Sequence, residues 1–359
     1  MRETYGIDLT ARYLGVDLPH PIGKASGQLS LNATQLEDDA AAGLACAILK
    51  TVIAEDETGA RAMAAWAIHE TRMKVERRGR SGWTVTWKGR GWDRPLAEYL
   101  ALLRTGRDLA RATGMLVVPS VKYHLPRLAE PFRDGEYRHT TRRLAGAWGE
   151  PPLLLEKDFS PTLAGDALSE DPAQIIRWLR EVPERIREAA PVPVRVAVKL
   201  MNARFDDAFQ VAMMDAAAGA DTLVCFNRLF DDKLGVAYGG WDLSDRNLRV
   251  LDLYRLRPPA TASYRPRVGT GNVCSGRVLL EYAQRGCESV QLHTLFQLPL
   301  SQFPATHGSR TQRALHALIF DPRDGLVAGM LELEARGKLE RRDGELHFLD
   351  VARDAHRSH

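Results

Sequence analysis

Eight polar side chains stand where an apolar run gives way to loop residues: Ser26, Lys50, Thr51, Lys122, Ser160, Lys199, Asn227 and Thr294. Their types suit chemistry on a small oxygenated molecule. A lysine at such a position supplies a cation for an anion or a developing negative charge, or an amine for covalent work. Ser160, directly before Pro161, offers a hydroxyl for proton transfer, although serine is a poor base without a partner. Two stretches add an anion-binding pattern: V-G-T-G-N-V-C-S-G from Val268 to Gly276, and E-S-V-Q-L-H-T-L-F from Glu288 to Phe296. Each couples an apolar run to small or hydroxylated residues at a helix start, where backbone N–H groups hold phosphate.

Eight apolar runs carry these residues, and helical segments alternate with them. The runs are Pro21–Ala25, Ala45–Val52, Met115–Val121, Leu153–Phe159, Val194–Leu200, Thr222–Asn227, Pro266–Thr270 and Ser289–Thr294. Helices are expected over Thr34–Ala42, Pro95–Ala112, Asp171–Ala189, Phe205–Ala218, Leu248–Arg257 and Gly276–Arg285. That alternation points to a (β/α)8 TIM barrel, with the polar residues on its C-terminal face. The barrel core spans about 20–308 of a single domain, and residues 7–20 read as a hairpin plugging the opposite end. Residues 53–92 are too long for a simple connection and form a candidate lid, with Trp83–Trp87 alternating as a strand. A second insertion, Leu125–Glu150, reads as irregular, and residues 309–359 as a closing helical extension.

Composition bounds the partners. The 359 residues are 45% hydrophobic and 26% charged with net charge +3, ordinary for a globular chain. The Arg72–Arg90 cluster is interleaved with tryptophans and reads as a solvated hairpin rim, so nucleic acid is not expected as a partner. Four cysteines without a C-x-x-C pair argue for no metal site, and no apolar run reaches a membrane-spanning length. Absence of a signal peptide points to the cytoplasm.

The ordered set A-S-G (Ala25, Ser26, Gly27), K-T (Lys50, Thr51), S-P (Ser160, Pro161), V-K-L around Lys199, Asn227, G-G (Gly239, Gly240), G-T-G-N-V and V-Q-L-H-T resembles the dihydroorotate dehydrogenase family. It is also similar to the FMN domain of dihydropyrimidine dehydrogenase. The resemblance runs through all eight runs, from about residue 8 to about residue 298. It implies an FMN-dependent oxidoreductase exchanging hydride with a C–C or C–N bond. Ala25, Ser26, Gly27, Lys50, Thr51, Lys199 and Asn227 would contact the flavin. Gly239-Gly240, Gly271-Asn272 and His293-Thr294 would frame its ribityl chain and phosphate. Ser160 falls at the family's proton-transferring position, and Lys199 is the second catalytic residue. The electron acceptor or donor stays open, a homodimer is implied by resemblance only, and the short N-terminal segment argues against the quinone route.

The departures concern the substrate. Lys157 and Thr162 stand where the family keeps asparagines around its base, and the family's N-x-M-G-x-x-N loop is not recognisable over Trp83–Trp92. A site built to pair with a substrate's polar edge rejects poorly matched ligands, so dihydroorotate is not the expected substrate. Lys50, Lys122, Lys157, Thr162 and Asn227 are the expected substrate contacts. With His124, Trp83, Trp87 and Trp92 they suggest an anionic or aromatic small molecule. His293 would crowd or bond the cofactor, or simply pack. Two other readings stay open: a flavin-free lyase or aldolase with a Schiff base on Lys199 or Lys122, and a barrel that binds flavin or phosphate without turnover.

Overall fold

A computed structural model describes residues 1–67, 74–77, 83–87, 91–159, 171–203, 205–231, 236–240, 243–257 and 265–354. Ser160, Thr162 and the extreme C-terminal tail lie outside the described residues.

One ten-stranded sheet organises the chain. Its strands are β1 (Ile22–Lys24), β2 (Cys46–Ile48), β3 (Val52–Ile53), β4 (Leu116–Val118), β5 (Ser120–Lys122), β6 (Leu153–Phe159), β7 (Val194–Leu200), β8 (Thr222–Cys225), β9 (Arg267–Thr270) and β10 (Cys287–Leu292). The order is β3-β5-β6-β7-β8-β9-β10-β1-β2-β4, and every neighbouring pair is parallel. The sheet curls, because its two ends, β3 and β4, are chain neighbours of β2 and β5. This is a TIM-like α/β architecture.

β6 shows why the strands form. All seven of its residues are buried, as parallel strands covered on both faces require. Helices supply the cover: Ala33–Ala41, Leu96–Thr113, Asp134–Trp148, Pro172–Ala189, Asp207–Ala216, Leu243–Arg255 and Gly276–Ala283 separate successive portions of the sheet. Their limits are set locally. Asp171 accepts from the backbone N–H groups of Ala173 and Gln174 and Pro172 opens that helix, while Gly114 closes an earlier one at φ 79°.

The run expected as one strand over Met115–Val121 is divided at Pro119, which has no N–H for the ladder. Its carbonyl still accepts from Glu156 N at 3.0 Å. The Ala45–Val52 run is divided as well, because Lys50 N donates to Ser30 O instead of to a strand. A larger difference concerns Leu125–Glu150, expected as irregular. Helix Asp134–Trp148 occupies most of it, burying Tyr137, Thr140, Thr141, Leu144 and Trp148 at helical spacing. Gly135, Gly146 and the threonine pair lower its intrinsic propensity, and tertiary burial overrides that.

At the N-terminal end of the sheet, the hairpin Ala11–Tyr13/Val16–Leu18 is anchored from the strands. Ser289 Oγ donates to Arg12 O at 2.8 Å and Arg195 Nη1 to Leu14 O at 2.9 Å. At the other end, Trp83–Trp87 of the expected lid pairs with Lys74–Arg77 and with Val236–Gly239, giving a four-stranded antiparallel sheet with Leu229–Asp231. The insertion and the segment after β8 are therefore one unit. The C-terminal extension adds helices Arg310–Phe320, Leu326–Ala335 and Phe348–Asp354, and Leu346–His347 pairs in parallel with Ile7–Asp8. Among the described residues no helix is long and apolar enough to cross a membrane.

Candidate functional site

A cavity of about 1050 Å³, its open mouth included, lies at the C-terminal ends of the strands. Parallel strands aim their last residues the same way, so segments far apart in sequence converge there. Ala25, Ser26, Gly27, Lys50, Thr51, Lys122, Lys199, Asn227, Gly239, Gly271, Asn272, His293 and Thr294 all line it. Gly240 lies beside it, accepting from Leu243 N at 3.1 Å. Lys157 is not on its wall.

The β1 side is flat and small. Ser26 Oγ and Thr51 Oγ1 are 2.8 Å apart, and Thr51 Oγ1 lies 3.0 Å from Ser120 Oγ, so a row of hydroxyls runs from the wall to buried Ser120. At Gly27 a Cβ would stand 2.1 Å from His293 Nε2, so only glycine leaves room for the imidazole. Gln297 Nε2 lies 2.6 Å from His293 Nδ1. With that amide donating, the neutral ring carries its proton on Nε2. Burial, then the charges of Lys50 and Lys199, push His293 down to about 3, so the ring stays neutral at physiological pH.

Three lysines differ sharply in their surroundings. Lys199 Nζ lies 3.6 Å from Glu156 Oε1. Glu156 is fully buried, and its other oxygen accepts from Tyr13 OH at 2.9 Å and Gln291 Nε2 at 2.7 Å. The plugging hairpin thus reaches through the core to the group that holds Lys199. Lys122 Nζ is 3.3 Å from Asp158 Oδ2 and 3.8 Å from the centre of the Trp66 ring. Burial opposes ionisation of Asp158, yet Lys122, Lys199, Lys157 and Arg228 hold its carboxyl well below the usual carboxylate range. Lys50 is 7% exposed and its ammonium has no hydrogen bond or ion pair among the described residues. Burial, then Arg228, lowers it to about 7.

The β9 side is shaped by backbone. Gly271 at φ 100° and Asn272 at φ 50° are both left-handed. A Cβ at Gly271 would stand 2.5 Å from Asn247 Nδ2, so that turn requires glycine. Tyr282 OH lies 2.8 Å from Gly271 O, and Asn247 Nδ2 donates to Thr270 O at 2.8 Å, fixing the carbonyls away from the mouth. Ser275 caps helix Gly276–Ala283 by accepting from Val278 N at 3.2 Å. Thr294 precedes the short 3-10 turn Leu295–Gln297 on the neighbouring strand. Cys274 and Thr294 line that side of the cavity, while the first N–H groups of helix Gly276–Ala283 donate to Asp324 O and Ser275 Oγ.

Helix Asp134–Trp148 clamps the mouth segments. Glu136 Oε1 accepts from His124 N at 2.7 Å and its Oε2 from Ala62 N at 3.0 Å. Thr140 Oγ1 accepts from Glu55 N and donates to Glu55 O, both at 2.9 Å. Burial pushes Glu136 up to about 7 despite those two N–H donors.

Sequence reasoning missed Trp66, Glu156, Asp158, Arg228 and Gln291. Two were detectable. In L-L-L-E-K-D-F the carboxylates alternate, so Glu156 and Asp158 share the face opposite Lys157. Lys157 instead donates to Asp158 O at 2.9 Å and lies 4.6 Å from the centre of the Phe159 ring. Trp66 had no periodic signal around it. The arrangement as a whole is a cation-rich cavity with one wall of small residues, a left-handed Gly271-Asn272 turn and few carboxylates, suited to an anionic ligand. No protein-family model and no curated protein sequence matches the chain.

Proposed function

We propose that this chain is an FMN-dependent oxidoreductase of the dihydroorotate-dehydrogenase-like kind, acting on a small non-orotate substrate. The observation that carries the reading is the convergence of residues from seven separate strand ends, expected from their order in the sequence, on one cavity. A closed (β/α)8 barrel is part of the proposal. β2 with β3, and β4 with β5, are consecutive pieces of two chain stretches, so the ten strands reduce to eight, with β10 pairing back to β1.

The residues fit the cofactor. Ala25, Ser26 and Gly27 would face the ring, and the left-handed Gly271-Asn272 turn with the Thr294 turn would receive the phosphate. The cavity is open at its mouth, so a flavin with a small substrate beside it would reach outward from its enclosed part. His293 would share the Gly27 wall with the ring as a neutral donor. Bound FMN supplies two-electron hydride chemistry. Lys199, tethered by Glu156, would keep a positive charge beside the ring and favour its electron-rich form. Lys122 and Arg228 would bind an anionic group of the substrate, and Trp66 would cover it. The four free cysteines agree with a cytoplasmic location.

The Schiff-base reading on Lys199 or Lys122 has less support, since each amine is ion-paired to a carboxylate instead of facing the cavity free to attack a carbonyl. The test is the visible spectrum of freshly purified protein, with the released chromophore weighed by mass spectrometry. Flavin bands and the mass of FMN are expected. A colourless protein that takes up no FMN would overturn the proposal.

A further inference from the structure

The cavity holds three lysines, and only Lys50 has no ion-paired carboxylate among the described residues. Lys199 is tied to Glu156, and Lys122 to Asp158 and the face of Trp66. Lys50 is 93% buried by its 7% exposure, lines the cavity, and makes no side-chain hydrogen bond or ion pair among the described residues. We propose that Lys50 Nζ is the general base of this site, taking a proton from a ligand carbon and returning it. It would do what the sequence pattern assigned to Ser160.

The surroundings favour the unprotonated amine. Removing an ammonium from water without a counter-charge is strongly unfavourable, and the group loses its proton instead. The charged groups facing Lys50 are Arg228 and Lys122, which disfavour its proton, and Asp158 and Asp93, which favour it. His293 is a further titratable neighbour, and it is neutral. Asp158 is itself shared with Lys122. Burial and the two cations prevail, leaving Lys50 near 7. A general base titrating near the working pH is the efficient one.

The ligand class follows. A carbon acid with C–H next to a carbonyl or imide would give its proton to the Nζ lone pair. The C–H electron pair becomes a C=C bond, and the carbonyl π pair moves onto oxygen as an enolate. Arg228 and Lys122 offset that charge. Nothing is oxidised or reduced, and reprotonation by the Lys50 ammonium reverses the step. The inference rests on this cavity being the active site, not on which cofactor fills it.

Competitive trace acetylation with acetic anhydride, read residue by residue by peptide mass spectrometry, tests the amine directly. At pH 7 its unprotonated fraction should exceed that of an ordinary lysine, with pKa about 10.4, by roughly a thousandfold. Its labelling curve should have its midpoint near 7, as the buried amine does. A Lys50 whose labelling rises only with the exposed lysines, above about pH 9, would overturn the proposal. A second measurement uses 5-nitrobenzisoxazole, whose ring opens to a coloured phenolate and a nitrile when a base removes its C–H proton. The opening rate should follow the same midpoint and fall tenfold or more in Lys50→Met and Lys50→Arg. Wild-type rates in both variants, with unchanged circular dichroism, would contradict it. The flavin reading fails separately: a colourless protein with a labile Lys50 removes the cofactor and keeps the base, and a yellow protein with an ordinary Lys50 does the reverse.

Discussion

Lys24 and Lys50 are both buried lysines at neighbouring strand ends, and they differ in what surrounds the amine. Lys24, at the end of β1, is 4% exposed and ion-paired to Asp39, with Thr311 Oγ1 at 3.4 Å and the Phe296 ring centre at 4.9 Å. Helix Ala33–Ala41 contributes Asp39 and helix Arg310–Phe320 contributes Thr311. Burial pushes Lys24 down and Asp39 up, and each partly restrains the other. Three elements are joined through that pair, which has no access to the cavity wall. Lys50 is nearly as buried, has no ion-paired carboxylate among the described residues, and lines the cavity. The difference teaches that burial alone does not separate a structural lysine from a reactive one; the partner and the facing volume do.

The sharpest way to break the comparison is stability. Asp39→Asn leaves the Lys24 ammonium buried with only Thr311, and removing one partner of a buried pair costs about 3–5 kcal/mol. Urea denaturation should show that loss, whereas Lys50→Met, which removes an unbalanced buried amine, should change stability by about 1 kcal/mol or less, or raise it. Equal losses at the two sites would dissolve the distinction.

Smaller effects sharpen it. Gly27→Ala forces a Cβ into the His293 ring, and overpacking of that kind costs about 1–3 kcal/mol. The imidazole must swing off Gln297, so ligand affinity should fall more than the melting temperature suggests. Glu136→Gln leaves one mouth N–H facing an amide donor, at about 1–3 kcal/mol.

Two pH slopes of opposite sign complete the set. Glu136 has its folded pKa raised from 4.5 to about 7, so the folded state holds the extra proton and stability falls as pH rises through that window. Lys50 is depressed from 10.5 to about 7, so the unfolded state holds the extra proton and stability rises with pH across that window. Denaturant midpoints against pH should lose the first slope in Glu136→Gln and the second in Lys50→Met.

The strands and most of the cavity wall were legible because parallel strands leave continuous apolar runs and place their polar ends together. Lys199, Asn227 and the Gly271-Asn272 turn were found that way. Lys157 was misjudged because its register against the sheet depends on pairing, and a single residue's slip exchanges the two faces. Asp158 took its place on the cavity. Helix Asp134–Trp148 was hidden because its glycines and threonines form a helix only once a neighbouring surface buries them. The partnership of Lys24 with Asp39 joins residues from separate elements, and no local spacing reports it.

The most direct test of the account is a titration of cofactor-free protein with FMN and with riboflavin, followed by quenching of flavin fluorescence. The account predicts one FMN per chain, with riboflavin weaker by roughly tenfold or more, ~1.4 kcal/mol, because it lacks the phosphate that the β9 and β10 loops are proposed to receive. Equal affinity for the two, or binding of neither, would contradict it.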